Sequence, residues 1–436
     1  MTARTLAESI CAELRQHGYR ALLVGGCVRD HLLGRPALDF DVATDAPPET
    51  LRALFPGADL VGAHFGVVLV RRDHAQVEVA TFRSDQAYSD GRRPDRVRFQ
   101  RDPREDALRR DFTINALFLD PATGEVLDYT GGLADLRAGR IRAIGDPAAR
   151  FAEDHLRLLR AVRFAARLGF TIEEDTAHAI RRHAPLVRKV AAERVRDELT
   201  RILTEGGARR GFELLDELGL LAEVLPEVAA MKGVAQPPEF HPEGDVWTHT
   251  LLMLERLEQP SPALAWGVLL HDAGKPVTFR VAERIRFDGH VEAGVEIAKA
   301  IARRLRFSAA ESEQLVALVA HHLRFKDAPR MNPSTLKRFL RLPRFEEHLE
   351  LHRLDCLASH RRLDNYAWVK QRWEQMPPEV LKPPPLVRGN DLIALGFAPG
   401  PRFGQALRML EEEQLDGRIS RREEALEFVR SILERI

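Results

Sequence analysis

Hydrophobic positions recur at helical spacing over residues 1–16 and predict an amphipathic helix, after which Arg20–Val24 reads as a short buried strand ending at Gly25-Gly26. A helix over Val28–Leu33 and a strand over Leu38–Val42 follow. Val67–Arg71 and Gln76–Phe82 form the two arms of a hairpin turning at His74-Ala75. Ile114–Leu119 and Ile141–Ile144 add short strands, so a small mixed sheet with flanking helices closes near Gly145. From Phe151 the period becomes helical. Phe151–Leu168 reads as one arginine-rich helix, Glu193–Leu203 as another, and Gly211–Leu225 as a helical hairpin closed by Pro226. The breakers of Gly233–Gly244 mark a boundary. Helices resume at Asp245 and run to about His360, and Pro377-Pro378 and Pro383–Pro385 form a stiff linker into a helical tail. The expected architecture is α+β, with a head over 1–143, a helical neck and body over 144–232, a helical domain over 240–360, and a linker and tail over 361–436.

Bulk properties narrow this picture. A chain of 436 residues suggests about three domains, and 44% hydrophobic residues suffice for packed cores. No apolar run approaches the roughly 20 residues that a membrane-spanning helix needs, and the acid-bearing N-terminal segment is no signal peptide. Cys11, Cys27 and Cys356 form no CxxC pair, which points to a reducing cytoplasm and away from a disulfide framework or thiolate zinc site. The net charge of zero says nothing of nucleic acid, but arginine bunches in Arg92–Arg110 and Arg137–Arg167. Such patches can bind RNA on a neutral protein, although a bias toward arginine codons would produce them too.

The richest chemistry lies in Leu23–Asp45. Asp39 and Asp41 are two apart in a strand pattern, so both side chains should leave one face. Side-by-side carboxylates call for a hard cation, and Mg²⁺ is held by one or two carboxylates plus phosphate oxygens. Two such ions can activate a hydroxyl and stabilise pyrophosphate as it leaves. Glu78, on the strand Gln76–Phe82, can supply a third carboxylate. Gly25-Gly26 before a helix N-terminus allows close approach of phosphates, with Arg29 near them. Neither the Walker pattern nor GxGxxG is present.

The run GG-x-VRD-x-LLGR followed by D-x-D resembles the signature of class II nucleotidyltransferases in the DNA polymerase beta superfamily, which includes CCA-adding, A-adding and CC-adding enzymes and bacterial poly(A) polymerases. Further segments agree in order. Arg109–Thr113 (RRDFT) resembles the family's ribose and triphosphate motif, implying nucleotide contacts for Arg109, Arg110 and Asp111. Asp128–Gly132 with the following ADLRAGRIRAIG resembles the hinge between head and neck. Glu153–Arg157 (EDHLR) resembles the EDxxR motif that selects the base, implying roles for Asp154 and Arg157, with Arg160 beside them. Glu193-Arg194 fits the last, helix-stabilising motif. Three apart on a helix, Asp154 and Arg157 would face one way, the acid accepting from the amine of C or A and the arginine donating to the neighbouring acceptor. Ser84–Asp95, polar and aperiodic, resembles the flexible loop that lets such enzymes switch from CTP to ATP.

The resemblance implies addition of CCA, or of the terminal A, to the 3′ end of tRNA from CTP and ATP, with Asp39, Asp41 and Glu78 catalytic. Poly(A) synthesis is the alternative, disfavoured by the lack of a long basic tail. No protein partner is legible. In the second half, His249, His271-Asp272 and Asp355 match the ligand order of the HD phosphohydrolase domain, with His290 and His322 as plausible extra ligands. Mixed imidazole and carboxylate suit Ni²⁺, Mn²⁺ or Zn²⁺. This leaves open a second, hydrolytic activity.

Overall fold

The computed structural model describes every residue except Leu38, 61–65, 87–90, 92–95 and 435–436. The chain forms two compact units. One comprises Met1–Ala229 with Leu257–Gln259 and Arg304–Arg306, and the other holds the remainder.

The first unit begins with α1 (Ala3–Gln16), β1 (Ala21–Val24), α2 (Gly26–Leu32), β2 (Asp41–Thr44), α3 (Pro48–Leu54), β3 (Asp59–Leu60), β4 (Val67–Arg72), β5 (Ala75–Thr81), β6 (Arg83–Gln86), β7 (Arg96–Phe99), α4 (Pro103–Leu108), β8 (Leu117–Leu119), β9 (Val126–Asp128) and α5 (Gly132–Arg137). Seven strands make one mixed sheet in the order β3-β4-β5-β2-β1-β8-β9, and within it β2 and β5 run parallel. α1 owes its place to Leu6, Ile10 and Leu14, one apolar stripe that is wholly buried. Leu22, Val24, Ala43, Phe82 and Phe118 build a core with Ala107 of α4.

Three sequence expectations in the head change. Of the strand expected over Leu38–Val42, Leu38 lies outside the described residues, Asp39 and Phe40 are not strand, and pairing with β1 starts at Asp41, opposite Val24. Part of the aperiodic Ser84–Asp95 segment is strand: Arg83–Gln86 pairs antiparallel with Arg96–Phe99, and the tip at 87–90 and 92–95 lies outside the described residues. Arg140-Ile141 (β10) leaves the large sheet and pairs in parallel with Thr171-Ile172 (β11).

The neck and body are α6 (Pro147–Glu153), α7 (Arg157–Leu168), α8 (Glu174–His183), α9 (Ala192–Thr204), α10 (Ala208–Glu217), α11 (Leu220–Val224) and α12 (Pro226–Ala229). The expected single helix over Phe151–Leu168 is broken. Asp154 adopts φ −140° and ψ 105°, and its carboxylate accepts from Leu156 N–H, a local bond that competes with helix continuation.

The second unit has α13 (Val246–Glu255), α14 (Pro262–Leu270), α15 (Lys275–Thr278), a hairpin of β12 (Arg280-Val281) and β13 (Ile285-Arg286), α16 (His290–Arg304, its last residue in the first unit), α17 (Ala309–His321), α18 (Pro333–Leu340) and α19 (Phe345–Ala358), then five further helices to Leu433. The short hairpin interrupts what reads as continuous helix. α14 is buried along its whole length from Ala263 to Leu270.

Candidate functional site

Gly25 ends β1 with φ +79°, in the left-handed region that favours glycine. A Cβ there would stand 3.4 Å from Arg110 Nη1 and 3.9 Å from Asp41 Oδ2. The glycine turn, a carboxylate and a guanidinium thus meet at one point. Asp41 is in register with Glu78 on the parallel neighbour β5, which brings the two carboxylates side by side. Burial, then the charge of Glu78, pushes the Asp41 carboxyl up to about 6 against the pull of Arg110. An acid raised by a neighbouring acid is a fit place for a cation, so the donor set suits a divalent ion. Asp39 precedes the strand and is exposed, so the expected strand alternation with Asp41 does not apply to it. Among the described residues, Asp39, Asp41 and Glu78 do not form a donor triad within 4.8 Å.

Arg29 points elsewhere than the sequence suggests. Its guanidinium is buried, donating to Asp30 Oδ1 at 2.8 Å and Asn115 Oδ1 at 2.6 Å, and lies over the Phe164 ring. It braces the glycine turn from below, with Nη2 3.7 Å from a Cβ placed on Gly26. Arg109 and Arg110 are both clamped by Asp106, whose Oδ1 accepts from Arg109 Nε at 2.8 Å and whose Oδ2 accepts from Arg110 Nη2 at 2.9 Å. Burial would raise the Asp106 carboxyl, yet the two arginines hold it below its ordinary value. The sequence reading missed Asp106, although its spacing of three and four residues to the arginines is the signal for such a clamp. Asp111 is buried and receives Phe112 N–H, Asn115 and Arg160 Nε at 2.8–3.1 Å. Burial opposes ionisation there, but Arg160 and Arg157 outweigh it and bring the carboxyl down to about 2.

Asp154 and Arg157 do not pair. Asp154 receives two bonds from Arg194, at 3.2 and 3.0 Å, whereas Arg157 pairs with Glu153 and donates to the main-chain oxygens of Arg150 and Arg109. The helix break between them is the reason. Arg194, expected only to stabilise a helix, is the partner that orients Asp154.

The second unit brings His249, His271, Asp272 and Asp355 together, with His290 and His322. Among the described residues three donor groups each keep their ligand atoms within 4.8 Å: His249–His271–Asp355, Asp272–His290–His322, and His241–Glu243–His249, which shares His249 with the first. His271, His290 and His322 each donate Nδ1–H to a main-chain oxygen. The buried Nε2 atoms of these three and of His249 face carboxylates without a well-aligned hydrogen bond, at 3.2 Å for His249 to Asp355 and His271 to Asp272 and at 3.8 Å for His290 and His322 to Asp272. Four inward lone pairs beside two carboxylates fit a divalent metal, the chemistry that an apolar core lacks. Gly274 permits the approach, because a Cβ there would overlap the His290 carbonyl oxygen. Lys275, which the sequence reading did not single out, sits 2.6 Å from Asp272 Oδ2. The cavity of about 480 Å³ over these groups is walled by Lys275, Phe287, Lys326 and His352 among others. No helix among the described residues is long and apolar enough to cross a membrane.

Known proteins resemble this chain over both units. Residues 21–142 match the family described as Poly A polymerase head domain, 169–232 the probable RNA and SrmB-binding site of polymerase A, and 245–358 the HD domain. The CCA-adding enzyme of Enterococcus faecalis is 32% identical over 428 residues, covering 96% of this chain and 94% of that protein. The CCA-adding enzyme of Bacillus pumilus is 38% identical over 270 residues, and there the match spans 62% of this chain and only 64% of the relative. The crystal structure of the Bacillus stearothermophilus CCA-adding enzyme in complex with CTP superposes with a TM-score of 0.74 at 28% identity, covering 98% of this chain and 96% of that one.

Proposed function

Since this chain belongs to the CCA-adding enzyme family, we propose that it adds nucleotides of the CCA end to the 3′ end of tRNA from CTP and ATP, without a nucleic-acid template. The observation that carries this reading is the meeting of Gly25, Asp41 and Arg110 at the end of β1, with Glu78 alongside. The RNA 3′-oxygen attacks the α-phosphorus, the new O–P bond forms as the bond to the β-phosphate oxygen breaks, and pyrophosphate leaves. Asp41, with Asp39 just ahead of its strand and Glu78 beside it, would hold a divalent cation, Mg²⁺ being best suited to all-oxygen donors, and that ion would supply positive charge to the reacting phosphate. Gly25 and Gly26 admit the triphosphate to the main chain, and Arg110, aimed by Asp106, faces its charge. Asp154, held by Arg194, offers an acceptor to the amine shared by C and A. Asp111 and Arg160 fix the turn that carries Arg109 and Arg110. Residues 1–143 form the head, 144–232 the neck and body, 240–360 the HD domain and 361–436 the linker and tail.

The test offers the purified protein three RNAs: tRNA lacking CCA, tRNA ending in CC, and an unstructured RNA. Growth of the first by three nucleotides and of the second by one supports full CCA addition. Growth of the second alone restricts the enzyme to the terminal A, and long adenylate tails on the unstructured RNA would overturn the tRNA reading in favour of poly(A) synthesis.

A second reading is favoured by the buried Nε2 atoms of His249, His271, His290 and His322, which converge on the carboxylates of Asp272 and Asp355. They support a Ni²⁺, Mn²⁺ or Zn²⁺ centre and a phosphohydrolase activity in the second unit. Elemental analysis with a phosphate-ester hydrolysis assay tests it, and no metal with no hydrolysis would sink it.

A further inference from the structure

The loop 233–244 is closed at its neck. Asp245 accepts from Thr248 N–H at 2.8 Å through Oδ1 and from Gly233 N–H at 2.6 Å through Oδ2, and Val246 N–H donates to the Val234 oxygen at 3.0 Å. From this loop Gln236 accepts from Lys275 Nζ at 2.6 Å, and Glu243 reaches His249. The other three inward histidines rest Nδ1 on the carbonyl three residues back: His271 on Val268, His290 on Phe287 and His322 on Val319. His249 does not. The carbonyl three residues back, that of Val246, accepts from the Thr250 hydroxyl at 2.9 Å, and His249 Nδ1 instead lies 2.7 Å from Glu243 Oε1. The same oxygen takes His241 Nδ1 at 2.9 Å, whereas Glu243 Oε2 is buried with no hydrogen-bond partner. A buried anion left half-satisfied is costly in an apolar surrounding and is at home one ring away from a cation.

Resting on the reading of this cluster as a divalent-metal centre, we infer that Glu243 is a positioning residue of that centre, fixing the His249 ring with its proton on Nδ1 and its Nε2 lone pair toward His271 and Asp355. A carboxylate behind a ligating imidazole sets the tautomer, locks the ring and makes the facing nitrogen a better donor. Nothing in the HD sequence pattern marks this residue, which lies on a loop six residues before the histidine that it holds.

The test is titration of the metal-stripped full chain with Mn²⁺, Ni²⁺ and Zn²⁺ by calorimetry, beside melting of the metal-free proteins. Glu243→Gln keeps an oxygen for His249 but loses the charge, and should weaken binding about tenfold; Glu243→Leu loses both and should approach about a hundredfold. His241→Ala should bind nearly as the unaltered chain does, and all the metal-free proteins should melt alike. Unchanged affinity in Glu243→Leu overturns the inference, as does a loss of affinity matched by a lower metal-free melting temperature, which would make Glu243 a loop tether. A chain that binds none of the three ions even unmutated overturns the metal-centre reading itself, and the inference falls with it.

Discussion

At Asp41 burial, a neighbouring carboxylate and an opposing arginine act on one side chain, and the balance leaves an acid poised to accept a cation. Asp41→Ala should abolish nucleotide addition, by about a thousandfold or more, while tRNA affinity stays near its original value. Single-turnover extension with a parallel binding measurement checks it, and residual activity within tenfold of the unaltered chain would remove Asp41 from the machinery. His348 is a different kind of residue. It is 1% exposed, neither ring nitrogen has a hydrogen-bond partner, and burial brings its pKa down to about 4. A histidine that titrates lower when folded than unfolded draws protons toward the unfolded state, so stability is lost as pH falls from about 6.5 through 4. His348→Leu should be neutral or stabilising at pH 7.5 and should flatten this loss. Melting curves at pH 7.5 and 5.5 read it out; an equal acid-induced drop in both proteins would assign the sensitivity to other groups.

The elements show how far the sequence could be read. Placements along α1, β1, the β4–β5 hairpin and α9 follow directly from apolar spacing, because α1 and α9 bury one stripe, β5 buries one face and β1 is a continuous apolar run buried on both. The glycine turn, the HD dipeptide and Asp41 were legible for another reason, each being marked by short-range chemistry. The interruption at Asp154 was not, since the apolar period runs straight through it and only a side-chain bond to Leu156 N–H ends the helix. The pairings of Glu243 and Arg194 escaped because His249 stands across a loop from Glu243, and Asp154, at the break before α7, is 40 residues from Arg194. That rearranged pairing has a measurable effect. Arg194→Ala should relax the choice among CTP, ATP, UTP and GTP, as should Asp154→Ala, while triphosphate affinity changes less. Competition assays decide, and a uniformly lower rate with an unchanged order of preference would confine Arg194 to helix support. Gly274→Ala should push the start of α16 away from Asp272 and lower bound metal. Full metal content in that variant would count against the close approach.

On the scale of the whole molecule, the carboxylates of Asp41 and Glu78 lie in one compact unit and the mixed histidine and aspartate cluster in the other, so the two proposed chemistries would draw on different donors. His271→Ala should therefore deplete transition metal and hydrolysis while nucleotide addition proceeds at its original rate. A parallel fall in addition would show the two to be coupled. The chain path limits how such questions can be asked. Although the first unit ends at Ala229, it takes back Leu257–Gln259 and Arg304–Arg306, and Arg304 is paired with Glu227 while Arg306 is paired with Glu193. A fragment cut after residue 229 is thus an amputation rather than a dissection: it strips two arginines from acids that stay behind. Point substitutions, not truncations, are the instrument by which the division of labour in this protein can be apportioned.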